Sequence, residues 1–361
     1  MIETREGIVK EIIAMRPGLT EAWVESDGHT VKAVAYQQLT GPLEVGDRVI
    51  INRTATKLSL GSGGYDFIMV NLNRSECSLN GKGHIMKMRY TPWQCRVLSV
   101  EEEESPVRTE LEKTQDLGGT PILAGTIHSM LAPLAACLAK LGLTVAYVMT
   151  DGACLPVSWS RTVEKLKNID LIKGTVSAGN AWGGDLEAVN IFSGLLAARA
   201  VWKPDVIVVT MGPGIVGTGT KWGFSGVEQG VVLNAVDSLR GQPIAVPRIS
   251  FADLRERHKG ISHHSITVLK DVCRVRVAVP IPLLDMERTE YINNQVAEAG
   301  LKDLHDIVYR DGSGVGAALA EYGLKVTTMG RGENEDQEFF LALGAAATYA
   351  AECVRNNKNE D

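Results

Sequence analysis

The chain has 361 residues, enough for two or three domains at roughly 100–200 residues each. Its composition, 45% hydrophobic and 22% charged, provides for a globular core of ordinary size. With 37 basic against 43 acidic residues the net charge is −6, which excludes a broad basic field that would draw in DNA or an anionic membrane.

Residues 1–75 read as a small β-barrel. Segments rich in Val and Ile (Gly7–Ile13, Glu21–Glu25, Thr30–Ala35, Arg48–Asn52 and Phe67–Val70) alternate with Gly, Pro and Asp turns at a spacing of about ten residues. Nucleic-acid binding through such a barrel needs exposed aromatics and cations. Before the last hairpin only Trp23 and Tyr36 are aromatic, and acidic residues sit among them, so a nucleic-acid partner is disfavoured. Residues 76–118 form a connector. Within it Gly83–Gln94 alternates polar and apolar positions like a strand, and Glu101–Glu104 is a solvated acidic run.

Residues 119–361 alternate strand and helix. The pattern predicts strands at Pro121–Ile127, Thr144–Thr150, Leu171–Ala178, Asp205–Met211, Pro243–Ile249 and Val275–Val279. It predicts helices at Ser129–Leu141, Ser158–Asn168, Leu186–Val201 and Val227–Leu239. The fold class is therefore α/β, a mainly parallel sheet flanked by helices in the Rossmann-like manner, preceded by the small barrel. Ligands of such sheets bind beyond the carboxyl ends of the strands. That rule selects Asp151, Gly179-Asn180, Gly212–Lys221, Arg248 and Met329–Gly332. Two echoes suggest a duplicated unit. Val208–Gly214 and Val326–Gly332 both read as strands ending in Met-Gly-x-Gly, and an Asp-x-Glu at Asp185 and at Asp336 reads as the start of an Ala-rich helix. A duplicated unit would let Asp185 and Asp336 share a divalent cation, although capping explains both acids equally well.

Six glycines crowd residues 211–226 after a predicted strand and before a predicted helix. Bare backbone N–H groups and a helix N-terminus make such a loop an anion site. Gly212-Pro-Gly-Ile-Val-Gly217 fits G-x-G-x-x-G. However, the helix starts late and Arg248 stands where a ribose-binding acid belongs, so a dinucleotide fingerprint is not supported. Gly212, Gly214, Gly217 and Gly219 are the expected backbone donors, with Thr218, Thr220 and Lys221 as polar support.

Asp151, at a strand end, and His128, His263 and His264 are the acid–base candidates. A turn for Asp151 and polar-core or capping roles for the histidines account for them as well. Zinc would require another His or Cys at tight spacing, and Cys273 lies too far on, so no metal is expected. The six cysteines form no C-x-x-C pair and read as free thiols of a reducing cytoplasm. No basic-then-apolar leader opens the chain and no apolar run reaches about 18 residues, so a cytoplasmic location without a membrane partner is expected.

Gly83-His-Ile-Met-Lys-Met-Arg-Tyr-Thr-Pro, Ile127-His-Ser-Met-Leu-Ala-Pro, Gly183-Gly-Asp-Leu-Glu-Ala-Val-Asn, Met211–Thr220 and Ser262-His-His-Ser-Ile-Thr resemble a bacterial family defined by a domain of unknown function, number 3866. The resemblance runs through nearly the whole chain. It implies a bacterial, intracellular protein and brings no catalytic residue or cofactor with it. The residues themselves point to a small anionic or phosphorylated, nucleotide-like ligand at the glycine loop, with hydrolysis or group transfer as the chemistry if there is any. The alternative is a non-catalytic ligand sensor or assembly module, with Ile215, Val216, Trp222 and Phe224 closing the interface of a homo-oligomer.

Overall fold

The structure is a computed structural model that describes residues 1–74, 76–79 and 81–360, the last without its side chain. The boundary expected at Ser75 lies outside the described residues. The chain divides into two compact units, Met1–Val97 and Leu98–Asp361. The segment read as a connector is shared between them.

The first unit holds β1 (Thr4–Arg16), β2 (Leu19–Ser26), β3 (His29–Tyr36), β4 (Arg48–Asn52) and β5 (Tyr65–Asn71). They close into a barrel in the order β1-β2-β3-β5-β4. Only β3 and β5 run parallel, and β1 closes on β4 antiparallel. This is the five-stranded Greek-key barrel of the OB kind. Val9, Ala22, Val24, Ala33, Val49, Ile51 and Ile68 fill its interior. Outward positions of β1 are mixed: Arg5, Glu6, Lys10 and Glu11 are polar, but Ile8, Ile13 and Met15 are also exposed, and two register shifts against β2 interrupt the two-residue period. The strand-like stretch after Gly83 becomes a hairpin of β6 (Ile85–Lys87) and β7 (Cys95–Val97).

The second unit is built on β8 (Pro121–Gly125), β9 (Val145–Thr150), β10 (Thr175–Ala178), β11 (Leu186–Ala188), β12 (Val206–Met211), β13 (Gln242–Val246), β16 (Ala278–Pro282) and β17 (Asp306–Arg310). A two-residue pair, β14 (Ile249–Ser250) and β15 (Gly260–Ile261), lies between β13 and β16 in the chain. The eight strands form one sheet in the order β11-β10-β9-β12-β8-β13-β16-β17. Every pairing in it is parallel. β9 and β12 are buried at every position, which is why they read as unbroken apolar runs instead of alternating ones. Helices cover both faces. Leu131–Lys140 and Gln337–Glu360 pack on one, and Ile191–Trp202 and Glu228–Ser238 on the other. No helix among the described residues is long and apolar enough to cross a membrane.

Two expected elements differ and one strand was not expected. Leu186–Ala188, read as the start of a helix, is the edge strand β11, and the helix starts only at Ile191. Asn190 caps that helix by accepting from the N–H groups of Phe192 and Ser193, so an earlier start would forfeit the cap. Val326–Met329 is not a sheet strand. It is a turn closed by a Thr328–Arg331 bridge, with Met329 at φ +48°. β17 went unread because Asp306 and Arg310 frame only three apolar residues.

The echo between the two glycine segments therefore does not reflect a duplicated unit. Asp185 is held by the Thr175 amide and hydroxyl and by Lys167 at the amino end of β10, whereas Asp336 is buried against Arg331. The two acids bond different partners, Asp336 through Oδ2 alone with Oδ1 buried and unpaired, so neither set of bonds speaks for a shared cation.

Candidate functional site

Neighbouring strands β8 and β12 send their chains to opposite faces of the sheet. The helix after β8 packs on one side and the helix after β12 on the other. A crevice opens at such a switch of direction. Two cavities occupy it, of about 220 Å³ and 410 Å³, and they share Ile127, Ile215 and Met329 as a common wall. Gln229 ties the carboxyl ends of β8 and β13 together. Its amide donates to the carbonyls of Ala124 at the end of β8 and Val246 at the end of β13.

The smaller cavity is basic. Arg248, Arg255, Arg257, His258 and His264 line it, opposite Gly217 and Gly219 of the glycine loop. The Arg248 backbone is pinned twice, since its N–H donates to the Ser265 hydroxyl and its carbonyl accepts from Ser262 N–H. Its guanidinium is buried, at 7% exposure, and one Nη donates to Asp253 at 2.9 Å. Nε and the other Nη are buried without a partner. Asp253 also accepts from Arg255 at 2.8 and 2.9 Å, with Arg331 at 3.8 Å. Its hydrogen bonds to Arg255 and Arg248 hold the carboxyl far below the usual range, so it is always charged. Asp253 pairs with two of the three arginines that line the cavity, Arg248 and Arg255, and with Arg257 as the third, positive charge is in surplus.

Three imidazoles gather on the same side. The ring centroids of His258, His263 and His264 lie 4.0–5.2 Å apart. His258 Nδ1 is 2.8 Å from the Ser262 hydroxyl, and His264 stacks on Phe224 at 4.0 Å and 8°. Nε2 of His263 and of His264 is buried without a partner. Burial, then Arg248 and Arg255, pushes His258 down to about 3. Burial, then His263 and Arg248, pushes His264 down to about 4, and burial beside Arg257 lowers His263. All three are neutral at pH 7.

The glycine loop borders this cavity through Ile215, Gly217, Gly219, Phe224 and Gly226. A Cβ on Gly217 would lie 3.0 Å from His264 Cε1. Gly219 sits at φ +81° with Arg257 Cζ 3.4 Å from where a Cβ would be. Gly214 borders the larger cavity instead. Gly212 serves packing, because a Cβ there would stand 2.0 Å from the Cys154 carbonyl. The expected side-chain donors turn inward. Thr218 and Thr220 hydroxyls bond each other and close the loop onto Gly223, and Lys221 pairs with Asp271 at 2.9 Å.

His128 and Asp151 stand apart from the imidazole group. The Ser160 hydroxyl lies 2.6 Å from His128 Nε2, and Nδ1 lies 3.2 Å from the Met211 carbonyl. The carbonyl can only accept, which suits a neutral Nδ1–H tautomer, and the Tyr147 hydroxyl lies at the same 3.2 Å from Nδ1. Burial pushes this ring down to about 4. Asp151 accepts from Asn180 N–H at 2.7 Å. Beside it is Glu228, whose carboxyl burial, with a smaller push from Asp151, raises to about 7. Sequence reasoning missed Glu228, Asp253, Arg255 and Arg257, and it gave Arg248 and His258 no role. The available signal was density. Arg and His fill five of the ten positions from Arg255 to His264.

Two solved structures are similar in part. A point mutant of L. casei FPGS shares 13% identity at a TM-score of 0.29, over 70% of this chain and 62% of that one. An FPGS–AMPPCP complex shares 14% at 0.29, over 70% and 63%. The chain thus spans under two thirds of the length of either protein. No curated protein matches it. The family profile described as a protein of unknown function, DUF3866, matches residues 32–347, most of both units, and the chain belongs to that family.

Proposed function

We propose that this protein binds a small molecule through a phosphate or carboxylate group in the basic cavity, under Gly217 and Gly219. The buried guanidinium of Arg248, with Nε and one Nη unpartnered, carries the reading. A buried donor without an acceptor costs about 1–3 kcal/mol, more when charged, and an oxyanion removes that cost with the strongest class of hydrogen bond. The surplus charge of Arg248, Arg255 and Arg257 over Asp253 suits a dianion. The larger cavity, joined through Ile127, Ile215 and Met329, has room for the rest of a nucleotide-like ligand. Hydrolysis or group transfer at that anion is the chemistry such a site would support.

Calorimetric titration with inorganic phosphate and a panel of nucleotides and sugar phosphates tests the reading. Binding that weakens at least roughly 10-fold in Arg248→Met supports it, as for a lost charge-assisted contact. Absence of binding by every anion, or equal binding by the variant, would overturn it.

A second copy of the chain is the partner favoured by Val216 and Trp222, which stand 62% and 55% exposed on the same loop. Phe224, by contrast, is buried on His264 and is not available to such an interface.

A further inference from the structure

Beyond anion binding, and resting on it for its second half, the geometry points to a three-imidazole metal site. We propose that His258, His263 and His264 bind one borderline divalent cation of the Zn²⁺ class, and that its open coordination position is taken by the anion that Arg248 holds. One ring nitrogen from each histidine lies within 4.8 Å of the other two. A tetrahedral centre with Zn–N of about 2.0–2.1 Å places its ligands about 3.4 Å apart, so shifts of no more than about 1.4 Å close the site. Nε2 of His263 and Nε2 of His264 are also buried and unpaired, which a core without a ligand leaves unexplained. The third ring is oriented from behind. Ser262 holds His258 through Nδ1 and leaves Nε2 as the ligand, the arrangement that fixes tautomer and ring direction in metal sites. Phe224, stacked on His264, fixes the plane of a second ring. Three protein ligands leave the fourth position open, the pattern of a reactive rather than a purely structural metal.

The surrounding arginines constrain the proposal and sharpen it. They repel a cation, so the metal alone binds weakly. An oxyanion placed between the metal and Arg248 neutralises both neighbours at once. Metal and anion therefore bind cooperatively, and by linkage each must tighten the other by the same factor.

The test uses the full chain, stripped with EDTA. Zn²⁺ and Co²⁺ titrations in phosphate-free buffer test the metal site alone. One equivalent should bind, Co²⁺ should give the visible bands of a tetrahedral imidazole centre, and His263→Ala and His264→Ala should each weaken binding by roughly 100-fold with circular dichroism unchanged. Should those variants misfold, the Co²⁺ spectrum of the wild-type protein decides. No stoichiometric metal, or no tetrahedral spectrum, overturns the site. Inorganic phosphate titrated into the metal-free protein tests the anion reading by itself, so either half can fail separately. Repeating the Zn²⁺ titration with phosphate present should tighten binding roughly 5-fold or more, and Arg248→Met should abolish that gain. Equal Zn²⁺ affinity with and without phosphate overturns the shared site.

Discussion

A histidine beside a serine is an ambiguous sign, and the two such pairs in this chain resolve in opposite ways. His128 has both ring nitrogens engaged, by the Ser160 hydroxyl and the Met211 carbonyl, and is buried. Its folded-state value of about 4 lies below the ordinary 6.5, so the folded protein binds fewer protons than the unfolded chain between those values. The stability this ring contributes is complete above pH 6.5 and is lost as pH falls toward 4. His128→Asn should therefore flatten the pH dependence of unfolding between 6.5 and 4 by on the order of 2–3 kcal/mol in urea denaturation, while costing stability at pH 8. A slope identical to the wild-type slope would show that the ring does not report this burial. His263 and His264 show the reverse, with free nitrogens turned toward each other. Sequence can rank neither pair, because the deciding partners are remote in the chain. Ser160 lies 32 residues from His128.

At the level of elements, the barrel strands and most of the parallel strands are legible because burial imposes periods that survive in the sequence. Alternation marks the barrel, and unbroken apolar runs mark β9 and β12. What is lost is what a single bond decides. The Asn190 cap delays a helix and frees Leu186–Ala188 to become an edge strand. The Thr328–Arg331 bridge turns an apparent strand into the wall of a cavity. The glycine loop was legible as a candidate ligand element but not in its workings, since its threonines close it on itself and it is Gly217, Gly219 and Gly226 that border the basic cavity. Gly217→Val should consequently press on His264 and weaken phosphate binding by roughly 10-fold, whereas Thr220→Val should leave it within about 2-fold. Calorimetry on both variants checks this. Equal losses would mean that the loop hydroxyls, not the glycine gap, serve the anion.

Considered whole, the molecule carries its net charge of −6 away from its ligand chemistry, because a local cluster of arginines reverses the sign where it matters. Bulk charge argues against a broad nucleic-acid surface but is blind to this cavity. The two units own separate cores. Val9, Ile51 and their neighbours fill one, and among the described residues none of the buried members of the others comes before Val100. The exposed Val216 and Trp222 belong to the larger unit. If they seat a second copy, light scattering should give a multiple of 39.0 kDa that falls toward the single-chain mass on dilution, and Trp222→Ser should shift that fall to higher concentration by roughly 10-fold or more. A mass fixed at 39.0 kDa at every concentration would remove the second copy as partner.

The arginines and histidines of the site arise almost entirely from residues 248–265, a stretch stapled by β14 and β15, which are two residues each. Such a segment can fray while the eight-stranded sheet beneath it stays shut. Amide protons there should exchange on a local clock of their own. Because a ligand bound only to the closed form adds RT ln(1 + [L]/Kd) to the cost of opening, an anion held as proposed would itself set the order of this segment.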